Sequence, residues 1–277
     1  MTDKLPLTFA CGSYDRMDAI TKGEIQPADI DLNYIPINNP RDIFDRMIGG
    51  NEFDASEMSL SEYICRYADG ERDLVAIPVF PSRAFRHGYI TINTDLVQRP
   101  TDLNGKRIGV QLYTMTAAVW IRAALADAGV DLSTITWVEG AFEKPGPHGK
   151  AVPKPLLRPV KRTGIFPIMH VVVIKKAIVH NWPFVVTSMF NACNDSKDLA
   201  LHRMKFSGTN KYMLPFLQSD IEEIEQLFGG DPWPYGLEKN RSTLEAFVSY
   251  LYEQAMIPRK IPIEELFAPV HCRNLKV

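Results

Sequence analysis

No stretch of this sequence approaches the roughly 18 consecutive apolar residues of a membrane span, and the opening MTDKLPLTFACG lacks the charged, apolar, then small order of an export signal. A cytoplasmic chain with no membrane partner is expected. An excess of charge of one sign is missing too. The 31 Lys and Arg residues nearly balance 33 Asp and Glu residues, with no basic tail or stripe, which argues against nucleic acid as a partner. Cysteine is scarce. Cys11, Cys65, Cys193 and Cys272 lie far apart, with no Cys-x-x-Cys and no short Cys/His spacing, so neither a zinc site nor a disulfide framework is expected. Neither G-x-G-x-x-G nor a G-x-x-x-x-G-K phosphate loop occurs, which disfavours dinucleotide and ATP chemistry.

What is present is an ordinary globular composition: 277 residues, 45% hydrophobic and 23% charged, enough for one large domain or two small ones. The first third alternates strand and helix signals. Leu7 to Gly12 is a buried strand ending in Gly, Tyr14 to Gly23 a short helix, and IDLNYIPI a strand with alternating Ile30, Leu32 and Tyr34. Pro40 then opens a helix with Ile43, Phe44, Met47 and Ile48 on one face. FDASEMS, SLSEYICRYADG and LVAIPVFP follow as strand, helix and strand. This alternation predicts a parallel sheet covered by helices.

From Tyr89 to Thr94, YITINT has the pattern of a linking strand, and GKRIGV, a helix over Thr116 to Gly129 and the strand ITWV form a second lobe. The expected division is 1–88 plus 178–277 for the first lobe and 89–177 for the second. Between Gly140 and Arg162 the pattern fails, because five prolines interrupt any helical or strand period. That segment is either a solvated loop or lid, or the join left by an omitted stretch. FPIMHVVVI resumes as a strand, and the last hundred residues are helical. Ser219-x-x-Glu222 and Ser242-x-x-Glu245 have the spacing of capping boxes, with the Pro-flanked Trp233 in a rigid loop between them.

Ligands of open α/β sheets bind beyond the carboxyl ends of the strands, so four loops are candidates: 11–16, 56–61, 81–87 and 113–116. The sharpest is SRAFRH. Its two guanidiniums and one imidazole can bind a carboxylate and supply a proton near neutral pH, or can simply form a hydrated basic loop. Ser59 and Ser61 fit helix capping, and no partnered base is visible for a serine nucleophile. Glu57 fits a surface carboxylate, and His170, inside an apolar strand, a satisfied core histidine. His148, His180, His202 and His271 have no supporting context.

Six strings, ACGSYDR, FDASEMSLSEY, AIPVFPSRAFRH, MTAAVWIR, RTGIFPIMHVVVI and PWPYGLEKNR, together resemble the 4,5-dihydroxyphthalate decarboxylase family of type 2 periplasmic-binding-protein-like fold, in the same order from residue 5 to about 269. The resemblance implies an α/β chain of two lobes joined by crossover strands, with a ligand in the cleft between them. It also implies decarboxylation of 4,5-dihydroxyphthalate to protocatechuate without an organic cofactor. One departure stands out. Between ITWVEG and RTGIFP the family carries a further helix, strand and helix, roughly 40–60 residues at ordinary crossover lengths. Here the Pro-rich connector, near 145–162, takes that place, which would shorten the second lobe and open one wall of the cleft.

An aryl carboxylate leaves only after its ring carbon is protonated, which asks for cations to hold the carboxylates, an acceptor for the catechol and one acid. With that reaction implied, Arg83 and Arg86 are candidates for carboxylate pairing. His87 is the first candidate for the acid and His170 the reserve, while Glu57 or Asp15 would accept a catechol proton. Tyr14, Ser59, Ser61, Tyr113 and Thr116 would be hydrogen-bonding wall residues, with Arg162 closing from the other lobe. Glu57 and Asp15 lie in separate loops and form no metal motif. The small aromatic dicarboxylate is the expected partner, and monomer and homo-oligomer both stay open. The rival reading is a cytoplasmic solute-binding-like protein that holds a small carboxylate without chemistry.

Overall fold

The computed structural model describes residues 4–140, 165–206, 208 and 212–270. Its strands in chain order are β1 (Leu5–Cys11), β2 (Ile30–Pro36), β3 (Ala55–Ser59), β4 (Leu74–Ile77), β5 (Arg107–Val110), β6 (Thr136–Glu139) and β7 (His170–Lys175). The helices are α1 (Asp18–Thr21), α2 (Pro40–Gly50), α3 (Leu60–Ala68), α4 (Thr116–Asp127), α5 (Lys176–Asn181), α6 (Phe184–Lys205), α7 (Leu217–Phe228), α8 (Arg241–Glu253) and α9 (Ile263–Leu266). Among them no helix is long and apolar enough to cross a membrane.

Five strands form one sheet in the order β2-β1-β3-β7-β4. β1 runs parallel to β2 and β3, but β7 runs antiparallel to both β3 and β4, so the sheet is mixed and not all-parallel as the βα alternation predicted. The reason lies in the route of the chain. β7 enters the sheet on the return from the second lobe, from the opposite end, and its run of Val171, Val172, Val173 and Ile174 is fully buried as an inserted central strand should be. β7 lies within the large sheet, and the α5 that follows it packs against β4 and β7.

The outgoing and returning crossovers lie side by side. Ala84 N–H donates to Pro167 O at 3.2 Å, Met169 N–H donates to Ser82 O at 2.8 Å, and Arg83 bridges antiparallel to Ile168. Beyond them, 87–89 form a tight 3-10 turn, and no strand occurs over 90–94 where YITINT suggested one. β5 and β6 make a two-stranded parallel sheet over a small core of Leu103, Leu125, Val130 and Ile135. Among the described residues that core is minor beside the one under the large sheet. The Pro-rich segment on which the expected omission turns lies outside the described residues. α4 serves both cores: Val119 and Trp120 are buried toward the large one and Leu125 toward the small one, and the Trp120 indole N–H donates to Ile168 O at 3.0 Å.

Local sequence accounts for most termini. Asn39 caps α2 ahead of Pro40, accepting from Arg41 N–H, and Ser59 caps α3, accepting from Glu62 N–H. The two expected capping boxes are not used. α7 starts at Leu217, ahead of Ser219, and α8 at Arg241, ahead of Ser242. The 3-10 turn over Glu238–Asn240 runs straight into α8, so the helix is entered before Ser242 can cap it.

Candidate active site

The antiparallel course of β7 decides what its first residue meets. Ser59, at the carboxyl end of β3, pairs directly with His170, and Glu57 lies two residues back on the same strand face. The Glu57 and His170 side chains are thus diagonal neighbours, and Glu57 Oε1 sits 2.5 Å from His170 Nδ1. Tyr14, from the loop after β1, donates its hydroxyl to the same oxygen at 2.6 Å. Oε2 accepts Gly12 N–H at 3.0 Å and lies 3.4 Å from Cys11 Sγ.

Glu57 is fully buried, which by itself would favour the neutral acid. Against that burial, the His170 charge and hydrogen bond, the Tyr14 hydroxyl and the Gly12 N–H bring its carboxyl below the ordinary value of 4.5. Burial and the neighbouring Glu57 charge push the Tyr14 phenol far up, so it stays a donor. A carboxylate with four donors around it and no exposed surface cannot take a catechol proton, which corrects the role expected for Glu57. What it can do is hold the imidazole in one orientation through the contact at Nδ1. His170 keeps 15% of its side chain exposed and is packed edge-on against Phe44, its rings 5.1 Å apart.

Beside this pair, hydroxyls from both lobes converge. Ser59 Oγ, Ser61 Oγ and Thr116 Oγ1 lie 2.9–3.1 Å from one another, Ser61 N–H donates to Thr116 Oγ1, and Ser61 Oγ donates to Thr114 O at 2.6 Å. The cluster stands at the N-terminal ends of α3 and α4, where helix dipoles favour negative charge. Ser59 is both helix cap and cluster member.

Arg16 is the residue that sequence reasoning passed over. Its guanidinium lies between the Tyr14 ring at 4.1 Å and the Trp233 ring at 4.3 Å, with Nε donating to Pro81 O at 2.6 Å and one terminal nitrogen on Asp15 at 3.1 Å. Aromatic faces on both sides hold that cation rigidly next to the Tyr14–Glu57–His170 chain. Its signal was its place two residues after Tyr14 in a loop beyond β1.

The SRAFRH turn does not act as a unit. Arg83 is buried among protein acceptors, donating to Phe166 O at 3.1 Å, Pro234 O at 2.9 Å and Asn240 Oδ1. Burial lowers its pKa to about 10. It fastens the crossovers to the loop before α8 and has no fork left for a substrate carboxylate. Replacing Arg83 with Met would leave Phe166 O and Asn240 Oδ1 without this partner, while Pro234 O keeps Asn240 Nδ2. At roughly 1–3 kcal/mol for each abandoned acceptor, chemical denaturation should show a loss of about 2–6 kcal/mol. Arg86 and His87 face a different cavity, against the crossovers, with His87 exposed, so His87 is not placed as the acid of this cluster. Asp15 is exposed and paired with Arg16, and Tyr113 packs its ring against Trp137 and Arg122. Arg162 lies outside the described residues. Among the described residues no group of three His, Cys, Asp or Glu side chains is placed to hold a metal ion.

Gly12 shows how tightly the site is packed. A Cβ there would stand 2.8 Å from the Tyr14 ring, whose hydroxyl is held by Glu57. Gly12→Ala should push the phenol off the carboxylate, and losing a hydrogen bond to a charged group costs about 1.5–3 kcal/mol. A thermal melt would register it, and Gly12→Ala combined with Tyr14→Phe should cost little more than Gly12→Ala alone.

No family model matches the chain. A protein of Comamonas testosteroni named 4,5-dihydroxyphthalate decarboxylase is 29% identical over 329 aligned positions, covering 99% of both chains. With 277 residues here against 329 positions, at least 52 positions have no counterpart in this chain, which agrees with an internal shortening. A Pseudomonas putida protein of the same name is 42% identical over 154 residues, 55% of this chain and 59% of the relative. Among solved structures, the alkanesulfonate-binding protein SsuA of Xanthomonas axonopodis pv. citri, bound to MOPS, matches with a TM-score of 0.54 at 13% identity, covering 97% of this chain and 99% of that one. A Candida albicans protein described as having the generic periplasmic binding protein fold matches with a TM-score of 0.55 at 13% identity, covering 92% of each. At such identities these two speak for the fold alone. By its α/β architecture the chain has the periplasmic-binding-protein fold, and by its sequence it is a homologue of proteins named 4,5-dihydroxyphthalate decarboxylase.

Proposed function

We propose that this protein is a carboxy-lyase that converts 4,5-dihydroxyphthalate to protocatechuate without oxidation, and that His170 delivers the proton. The observation that carries the reading is the His170 imidazole held at 2.5 Å by a buried, ionised Glu57 beside a hydroxyl cluster drawn from both lobes. The names of the two homologues support this choice of substrate.

Breaking an aryl–carboxylate bond directly would strand an sp² carbanion with no delocalisation. The hydroxyl para to the departing group instead pushes electron density onto that ring carbon, and the protonated imidazole adds its proton there. The C–C bond electrons then return to the ring, CO2 leaves, and aromaticity is restored. One proton is consumed at carbon for each CO2 released. Glu57 keeps the imidazole aligned and offsets its positive charge, and Tyr14 fixes Glu57. Arg16, braced by Tyr14 and Trp233, is the guanidinium for a substrate carboxylate. Ser59, Ser61 and Thr116 hydrogen-bond the anionic edge of the ring from both lobes.

Turnover in D2O tests the scheme. The expected product carries one deuterium, at the carbon that lost its carboxylate, with one CO2 per molecule. Saturable binding of 4,5-dihydroxyphthalate with no CO2 released would favour a binding protein of the same fold.

A further inference from the structure

Against the crossovers lies a cavity of about 90 Å³ lined by Arg86, His87, Trp120, Ala124, Asp127 and Tyr250, among other residues. Along α4 its lining begins at Trp120, one helical turn or about 6 Å beyond Thr116, and none of Tyr14, Arg16, Glu57, Ser59, Ser61, Thr116 and His170 lines it, so the cavity is distinct from the candidate active site.

Its walls are largely aromatic and aliphatic, with one cation that the described fold does not neutralise. Arg86 Nε donates to Met169 Sδ at 3.1 Å, a weak acceptor, and the guanidinium carbon lies 4.8 Å from the centre of the Tyr89 ring. Among the described residues no carboxylate lies within ion-pair distance of it, and burial disfavours its charged form. A partly desolvated guanidinium without a counter-ion is costly, and a carboxylate entering the cavity would pair with its terminal nitrogens. Asp127, also on the wall, repels a second negative charge. The space is smaller than the ~150 Å³ void that takes up benzene, which limits the apolar body to a short chain.

We propose that this cavity is a second binding site, for a short aliphatic monocarboxylate whose carboxylate pairs with Arg86. It stands independently of the decarboxylase reading.

The probe is 3-methylbutanoate, followed through the Trp120 indole N–H resonance of the full chain and assigned with Trp120→Phe. Saturable movement of that resonance is expected, with 3-methylbutanamide and the dianion glutarate each at least about tenfold weaker. Arg86→Met should weaken 3-methylbutanoate at least about tenfold. Ala124→Leu, which fills the cavity and keeps the cation, should do the same, and it decides the matter should Arg86→Met not fold. Arg16→Met should leave the binding intact, separating this site from the substrate cleft. The proposal is overturned if 3-methylbutanoate does not move the resonance, if the amide binds equally well, or if Ala124→Leu retains full affinity.

Discussion

His170→Gln will lower kcat by about 100- to 10,000-fold and leave KM nearly unchanged, because the loss falls on proton delivery and not on the groups that hold the substrate. Glutamine can still hydrogen-bond to Glu57, which keeps the loop after β1 in place, but it has no proton to give at neutral pH. Steady-state kinetics on 4,5-dihydroxyphthalate, with folding checked by circular dichroism, separates this from simple unfolding. A variant retaining more than about a tenth of wild-type kcat would remove His170 from the chemistry.

Glu57→Gln carries the second large effect, on both activity and stability. Its carboxylate accepts from Gly12 N–H and Tyr14 and holds His170 Nδ1, and an amide would turn a donor toward at least one of them. A stability loss on the order of 3 kcal/mol follows from breaking one side of a buried, charge-paired network. Activity should fall by about 1,000- to 10,000-fold, as when the orienting carboxylate of a histidine is neutralised elsewhere. The double variant Glu57→Gln/His170→Gln should be scarcely worse in kcat than either single one, since the two act as a unit.

The same carboxylate has a pH signature. Its native pKa lies below the ordinary 4.5. Above that value both folded and unfolded chains carry the negative charge, and the full stabilisation is present. As the pH falls below it the unfolded chain binds the proton first, so the advantage drains away until native Glu57 is protonated as well. Melting temperatures of the wild type should therefore fall more steeply than those of Glu57→Gln between about pH 5 and pH 3. Equal slopes would mean that Glu57 is not the ionised group the structure makes it.

Much of the fold is legible residue by residue. Pro40 ahead of an apolar stripe places α2, and a three-turn apolar face stopped by Gly129, with its positive φ of 86°, places α4. The 170–174 run is apolar enough to be a central strand. Its direction is not legible, because an unbroken apolar run carries no record of which way it threads the sheet. That one missing fact hid the Glu57–His170 pair: with β7 parallel, His170 would lie at the far edge from Ser59. The basic turn misled for a related reason. Arg83 and Arg86 are three positions apart, and in a segment without regular period that spacing does not say that one guanidinium turns into Pro234 and Asn240 while the other lines a separate cavity. Family resemblance pointed to the proposed substrate but could not assign the acid, since both His87 and His170 lie inside matching strings.

The late arrival of β7 has a consequence for synthesis. β3 and β4 are separated by a gap that only residues 170–175 close, and the whole second lobe is made in between. A nascent chain emerging from the ribosome therefore holds two unpaired strand margins, able to recruit foreign chains, until well past its midpoint. The Glu57–His170 pair is completed by the same insertion. A polypeptide stalled in the second lobe thus lacks that pair as well as being sticky, and on the proposed mechanism it would gain its chemistry only in the step that seals the sheet.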